Sequence, residues 1–127
     1  MSRLDVTVRS EFVRSGEGKI RYRRVRAGGM EHYNVRVYVD GSDEELRRVE
    51  AVTYELHPSF RNPVHRQTNR ASQFELTLWV WGMFDIEVEF ELVDGGRART
   101  RYYLRFSLPE DTGDNYVEVP VARQLEK

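Results

Sequence analysis

A period-two alternation of apolar and polar residues recurs in segment after segment and constrains the fold of this chain more than any other feature. Successive side chains of a β-strand point to opposite faces of its sheet, so the alternation predicts strands with one buried and one solvated face. Clear runs begin at Leu4, Ile20, Tyr33, Phe74 and Phe84. Turn residues separate the runs at spacings of about 8 to 12 residues, and no stretch has sustained helical periodicity. The pattern predicts an all-β fold, a β-sandwich of seven or eight antiparallel strands.

The length of 127 residues is that of one domain. A chain of this size buries about two thirds of the surface that it exposes when unfolded, so it needs no disulfide or metal to fold. Neither a linker nor an internal repeat divides the sequence. We expect a single domain over residues 1–127, with its core in residues 4–119 and a frayed or weakly helical tail over 120–127.

Composition excludes several classes of function. The absence of cysteine rules out a disulfide framework and a thiolate nucleophile or ligand, and a formal net charge of -1 makes a nucleic-acid partner unfavourable. The longest apolar stretch, Leu78 to Phe84, is too short to cross a bilayer, and the first residues lack the apolar run of a signal peptide. We expect a cytoplasmic location and no membrane partner, although a domain of a membrane-anchored parent would have the same composition.

Two strand patterns carry further predictions. A cluster of arginines follows Ile20, at Arg21, Arg23, Arg24 and Arg26. A solvated edge strand protected by charge is the favoured interpretation of this cluster, ahead of a phosphate-binding patch. Between Leu46 and Leu56 the apolar parity changes after Ala51, which predicts a β-bulge over 50–52 that aims the following loop. Residues 61–72 have no hydrophobic period and are expected to form a loop.

The last hairpin has carboxylates along one strand and arginines along the other. We predict a three-residue loop, Asp94-Gly95-Gly96, in which Gly96 has a positive φ. This loop would place the residues of each of these pairs opposite each other: Glu91 and Arg99, Glu89 and Arg101, Asp85 and Arg105, Val88 and Tyr102, Ile86 and Leu104, Phe84 and Phe106. The carboxylates then form a solvated face and not an acid/base pair.

Two segments concentrate unusual side chains. The first, Leu56 to Pro63, places His57, Ser59 and Phe60 at a strand exit, and a proline on either side of Phe60 makes the loop stiff. The second, Trp79 to Phe84, carries two indoles on the polar parity of its strand, followed by Gly82, which lets another group approach the backbone closely. Large apolar rings held outside the core indicate a binding surface.

Catalysis and metal binding are the weaker interpretations of these segments. No nucleophile elbow surrounds Ser59, and residues this close at a strand exit rarely form a triad with an orienting carboxylate. His32, His57 and His65 have no metal-ligand spacing. We therefore expect a recognition module that is not an enzyme and that uses neither a metal nor another cofactor.

These segments also resemble a known family. His57-Pro58-Ser59-Phe60, then Asn62-Pro63, then Trp81-Gly82-Met83-Phe84-Asp85-Ile86 are similar to the paired loops of the YEATS domain family, with agreement over roughly Tyr33 to Phe106. The resemblance implies an immunoglobulin-like topology and a reader module that holds an acylated lysine between aromatic rings. By motif, Phe60 and Trp81 would be the walls, Ser59 the hydrogen-bonding side chain, and His57 a brace or peptide contact. The backbone of Trp81, Gly82 and Met83 would meet the acyl carbonyl.

Departures from the family pattern point to its prokaryotic branch, which resemblance associates with signalling or defence. Met30 stands where eukaryotic members have an aromatic residue, and Trp79 is additional. Both are possible accessory site residues, although Met30 is also suited to filling the core and Trp79 to covering the sheet or an interface. Phe60 and Trp81 are likewise suited to capping the core. The alternative function is therefore a protein-interaction or sensory domain that keeps the fold without binding acyl-lysine.

Overall fold

The computed structural model describes residues 3–24 and 31–120. Nine strands and two short helices follow one another in this part of the chain: β1 (Thr7–Phe12), β2 (Ile20–Arg24), β3 (Glu31–Asp40), the helix α1 (Asp43–Leu46), β4 (Val49–Glu55), β5 (Val64–Gln67), a 3₁₀ helix (Arg70–Ser72), β6 (Leu76–Val80), β7 (Phe84–Leu92), β8 (Arg97–Leu104) and β9 (Tyr116–Glu118). None of the helices in these residues is long or apolar enough to span a membrane.

The strands form two sheets. One sheet has the order β1-β3-β2-β9, with β6 also paired to β3, and the other has the order β5-β4-β7-β8. This is the predicted all-β, immunoglobulin-like sandwich, with β2 and β9 paired in parallel as an exception to the expected antiparallel arrangement. Because β9 covers one side of β2, the prediction that the arginines of β2 protect a sheet edge is wrong.

The described residues divide into two compact units. The first unit contains residues 3–10, 37–76 and 83–105, and the second contains 11–24, 31–36, 77–82 and 106–120. In the first unit the buried Tyr54 donates a hydrogen bond of 2.7 Å from its hydroxyl to the carbonyl of Phe74. In the second unit Ile20, Val35 and Val80 are buried. The single domain over 1–127 stays a prediction, and tail residues 121–127 lie outside the described residues.

The predicted bulge in β4 is confirmed. The pairing of β4 with β7 shifts between Val49 and Ala51, so that one extra residue is accommodated there. The shift lets Val49, Ala51, Val52 and Tyr54 all be buried despite their opposite parities.

The prediction of a continuous loop over 61–72 is wrong. Four of these residues form β5, which pairs with β4 at the sheet edge, from Val52 opposite Gln67 to Glu55 opposite Val64. An edge strand buries little, and Val64 is 58% exposed, so no hydrophobic alternation marks β5 in the sequence. Its backbone hydrogen bonds stabilise it instead.

The register of the β7–β8 hairpin differs by two residues from the prediction. The loop is Val93-Asp94-Gly95, with φ +91° at Gly95 and a hydrogen bond of 2.9 Å from Leu92 N–H to the Gly96 carbonyl. The Asp94 carboxylate accepts from Gly96 N–H at 2.8 Å and fixes this turn. The observed pairs are Phe84 with Leu104, Asp85 with Tyr103, Ile86 with Tyr102, Glu87 with Arg101, Val88 with Thr100, Glu89 with Arg99, and Glu91 with Arg97. A shift of two preserves which face each side chain occupies, so carboxylates still meet arginines.

Candidate functional site

The loop after β4, from Leu56 to Pro63, is closed by backbone hydrogen bonds. Leu56 N–H donates to the Pro63 carbonyl at 2.7 Å, and Phe60 N–H donates to the His57 carbonyl at 3.0 Å. These bonds, together with the prolines at 58 and 63, restrict the backbone that carries the three predicted site residues of this loop. The stiffness expected from the sequence therefore has a visible cause.

Within this loop His57 and Ser59 bond to each other twice. Ser59 N–H donates to Nδ1 of His57 at 3.1 Å, and Ser59 Oγ lies 2.8 Å from the same nitrogen. Because a backbone amide can only donate, Nδ1 is the acceptor, and the Ser59 hydroxyl must donate to it as well. The lone pairs of Ser59 Oγ then remain available on an exposed side chain. Ser59 is thereby prepared to accept a hydrogen bond from a ligand N–H group.

Phe60 is half-buried and packs on Phe84. The two ring centroids lie 5.1 Å apart with the planes tilted by 49°. Phe84 begins β7 and entered the sequence analysis through the hairpin and the Trp81-Gly82-Met83-Phe84 segment, but its contact with Phe60 was not predicted. That segment contained the signal, because Phe84 has the same parity as the buried Ile86 and Val88 and is the first residue of their row.

Trp81 follows the end of β6 and is 41% exposed. The centroid of its ring lies 5.2 Å from the centroid of the His32 ring on β3, and the two ring planes are tilted by 51°. His32 entered the sequence analysis only as a possible metal ligand, and among the described residues no group of three or more His, Asp or Glu side chains could hold a metal ion. In the structure the imidazole of His32 packs against the exposed indole of Trp81.

The backbone after Trp81 is open. A Cβ atom added to Gly82 would have no atom within 4 Å, and Gly82 does not have the positive φ that demands glycine. Met83 is 52% exposed. This glycine is therefore not required by local packing, and it leaves room for another molecule to approach the chain.

Trp79 is half-buried beneath two guanidinium groups. Cζ of Arg23 lies 4.5 Å from the centre of the Trp79 ring, and Cζ of Arg21 lies 5.8 Å from it. Arg21 donates at 3.0 Å to Oδ1 of the buried Asn34, whose Nδ2 donates at 3.2 Å to the Leu78 carbonyl. Trp79 thus covers the sheet, as one interpretation of the sequence expected, and also stacks with two cations.

The predicted site residues fall into both units. His57, Ser59, Phe60 and Met83 belong to the first unit, and Trp79, Trp81 and Gly82 belong to the second. Met30 lies outside the described residues. The slot between the rings of Phe60 and Trp81 therefore stays a prediction, whereas the local geometry of each group is defined.

Comparison with known families adds an independent finding. The family model described as prokaryotic YEATS domain matches residues 33–105. Transcription initiation factor TFIID subunit 14 of Schizosaccharomyces pombe is 37% identical over 67 residues, which make up 52% of this chain. The chain spans 27% of the length of that relative.

Solved structures show the same fold. The Yaf9 YEATS domain bound to H3K27ac has a TM-score of 0.56 and 21% identity, with 87% of this chain and 80% of that chain covered. The Yaf9 YEATS domain recognising an H3K122suc peptide has a TM-score of 0.53 and 22% identity, with coverage of 83% and 79%. The yeast AF-9 homologue Yaf9 has a TM-score of 0.53 and 26% identity, with coverage of 60% and 56%.

Proposed function

This chain belongs to the prokaryotic YEATS domain family, and on that premise we propose that it is a non-catalytic reader module of the cytoplasm that binds an acylated lysine or a similarly flat, amide-bearing ligand. The observation that carries the proposal is the exposed indole of Trp81, held by His32 and followed by open backbone at Gly82. A large ring kept in contact with solvent, beside a backbone that can be approached, is suited to stacking on a flat ligand.

The proposed roles follow from the chemistry of an amide. Phe60 and Trp81 stack on the two faces of the acyl amide, each contact contributing about 1 kcal/mol. The N–H of the acylated lysine donates to Ser59 Oγ, and the backbone of Trp81, Gly82 and Met83 meets the acyl carbonyl. Nδ1 of His57 accepts a hydrogen bond from the Ser59 hydroxyl and fixes the direction of that hydroxyl. We expect an affinity in the micromolar range or weaker.

Acylation is what such a site discriminates. An unmodified lysine is an ammonium ion, which would lose water on entering an aromatic slot without gaining a countercharge. The acyl group removes the charge and supplies a planar donor and acceptor. The acylated peptides named for the two Yaf9 structures support a peptide ligand in this family, and for this chain an acylated-lysine peptide or protein is the proposed partner.

Titration calorimetry with one peptide in acetylated, crotonylated and unmodified forms tests the proposal. The acylated forms are expected to bind and the unmodified form to bind at least tenfold more weakly. Trp81→Ala is expected to abolish binding while the circular dichroism spectrum stays that of the parent. Tyr103→Ala, which removes an aromatic side chain that is 50% exposed on β8, is the matched control and should bind normally. Equal affinity for acylated and unmodified peptides would rule out the reader function.

A second candidate function has one observation in its favour. Trp79 with Arg21 and Arg23 combines the residue types that are enriched at the centres of protein interfaces. An interaction or sensory domain without acyl-lysine binding would use this surface against a partner chain or a nucleotide-like signal. Self-association in analytical ultracentrifugation that is removed by Trp79→Ala would favour this function, and a monomer at all concentrations would argue against a self-associating interface.

A further inference from the structure

Five side chains of the second unit form a continuous strip, which we name the arginine–indole strip: Arg21 and Arg23 on β2, His32 on β3, Trp79 on β6, and Trp81 directly after β6. Arg23 is the Cα partner of His32 across the β2–β3 pair, and the ring of His32 contacts the ring of Trp81. Arg21 and Arg23 both approach the ring of Trp79. The strip therefore connects the proposed site residue Trp81 to two cations.

Among the described residues, the two arginines of the strip have no carboxylate as a countercharge. Two neighbouring arginines of this sheet have a carboxylate partner. Nη2 of Arg24 lies 3.7 Å from Oε2 of Glu31, and Nη1 of Arg36 lies 3.4 Å from Oε2 of Glu11. Within residues 3–24 and 31–120, neither Arg21 nor Arg23 has a carboxylate at ion-pair distance. Both guanidinium groups are nevertheless held in place, Arg21 by Asn34 and Arg23 by the Trp79 ring.

Of the two arginines, Arg23 has the less satisfied side chain. Its Nε atom is buried without a hydrogen-bond partner in the described part of the chain. Burial lowers the pKa of this guanidinium from its usual value. A cation that loses water without a countercharge costs free energy, and a carboxylate from another molecule would offset that cost. Guanidinium groups fit carboxylates through two parallel hydrogen bonds, so an acidic side chain matches the strip in charge and in shape.

We propose that the arginine–indole strip binds acidic side chains of the same peptide whose acylated lysine is held at Trp81. This inference rests on the proposed reader function and adds a sequence preference to it. The strip lies on β3, on β2 and at β6, two of the strands that pair with β3. Because adjacent strands are about 4.8 Å apart, the acidic residues belong within about three positions of the lysine in an extended peptide.

A peptide fits the strip better than a nucleic acid does. The chain has a net charge of -1, and the two arginines of the strip are few beside the phosphate contacts of a nucleic-acid interface. The strip also begins at the residue that would hold the lysine side chain. A preference for acidic neighbours would let the module choose among the many acylated lysines of a cell.

Four peptides separate the strip from the reader function: acyl-lysine and unmodified lysine, each with two flanking glutamates or two flanking glutamines. We expect glutamates to tighten binding of the acylated peptide about tenfold at low salt and progressively less as salt is added. In the double variant Arg21→Gln with Arg23→Gln, the advantage of glutamate should fall below about twofold. Arg24→Gln removes the same charge from the same strand but outside the strip, so the parent's preference should persist.

The outcomes of these titrations distinguish the role of the strip from the reader function. Dependence on acylation without a preference for glutamate, or a preference that Arg24→Gln removes equally, overturns the role of the strip and leaves the reader function standing. A preference for glutamate that is independent of acylation overturns the reader function. A single-stranded oligonucleotide that binds more tightly than any of the peptides overturns the assignment to an acidic peptide. Arg23→Lys keeps the charge and loses the planar fork, so an intermediate preference supports bidentate binding.

Discussion

The hydrogen bonds between His57 and Ser59 assign a direction to the serine hydroxyl. Its proton is used in the hydrogen bond to the imidazole, so its lone pairs remain available to accept a hydrogen bond. His57 and Ser59 can therefore brace the loop and, at the same time, leave the serine oxygen available for a ligand. The sequence alone could predict that these residues matter together, but only the geometry assigns donor and acceptor.

Ser59→Ala tests that assignment. We expect the acylated peptide to bind about tenfold more weakly, because the amide N–H of the ligand would lose its acceptor. The melting temperature should change little, because the side chain of Ser59 is exposed. Calorimetry and thermal unfolding measure the two effects. Ser107→Ala, at another exposed serine, is the control, and an unchanged affinity for Ser59→Ala would refute the proposed contact.

Gly82→Ala separates binding from folding at a single methyl group. The space around Gly82 is open, so the substitution should leave the free energy of unfolding within about 0.5 kcal/mol of the parent value. In the proposed binding mode, binding should weaken severalfold, because the methyl group would occupy the space that we assign to the acyl carbonyl. Gly16→Ala is a matched control, since its surroundings are equally open and its φ is not positive. Normal peptide binding by Gly82→Ala would show that the ligand does not approach here.

At the scale of elements, the sequence predicts faces better than registers. The parity of β6, with Leu76, Leu78 and Val80 buried and the indoles on the other side, follows directly from the alternation. The β7–β8 register instead depends on which residues make the turn. Asp94 can bond to the backbone two residues on, and this interaction decides between two turns with similar glycine content.

The turn itself can be tested with two alanine substitutions. Gly95 has φ +91°, so Gly95→Ala should destabilise the protein by about 1 kcal/mol, and Gly96→Ala should cost less because the φ of Gly96 is not positive. Urea unfolding of both variants gives the order. The reverse order would support the turn that the sequence predicted, with the positive φ at Gly96.

Short elements escaped prediction because they bury few side chains. The helix α1 contributes one buried residue, Leu46, and begins where Ser42 Oγ accepts a hydrogen bond from Glu45 N–H at 3.1 Å. The sequence signal for this helix was therefore the capping residue Ser42, and not a helical hydrophobic period. The edge strand β5 has no hydrophobic period at all. The supports of the candidate site were missed for a related reason: His32 contacts Trp81 across strands that are distant in the sequence.

At the scale of the whole molecule, carboxylates set the response to acid. Hydrogen bonds from the Arg66 side chain, the Arg101 side chain and the Asp5 backbone amide lower the pKa values of Glu91, Glu87 and Glu45, respectively. A carboxyl group whose pKa is lower in the folded state stabilises the protein above its unfolded pKa of about 4.3. That stability is lost as the pH falls through the folded-state pKa values.

We therefore expect the urea midpoint to be flat from pH 7 to about pH 5 and to fall below that range. Glu91→Gln should reduce the acid dependence, because it removes one of the titrating groups, and Glu110→Gln at an exposed residue outside the strands is the control. Urea titrations at a series of pH values measure both. An acid dependence identical in the parent and in Glu91→Gln would contradict the contribution of the Arg66–Glu91 pair.

The parallel pairing of β2 with β9 has a consequence for the synthesis of this protein on the ribosome. Ile20 N–H is satisfied by the Asn115 carbonyl, and Val119 N–H by the Tyr22 carbonyl, so one flank of β2 gains its partners only when residues 115–119 have emerged. Until then the nascent chain exposes an open backbone row, to which a neighbouring polypeptide can attach. The sheet that carries the arginine–indole strip is accordingly completed only after residues 115–119 have been synthesised, and until then that row is where a chaperone would bind.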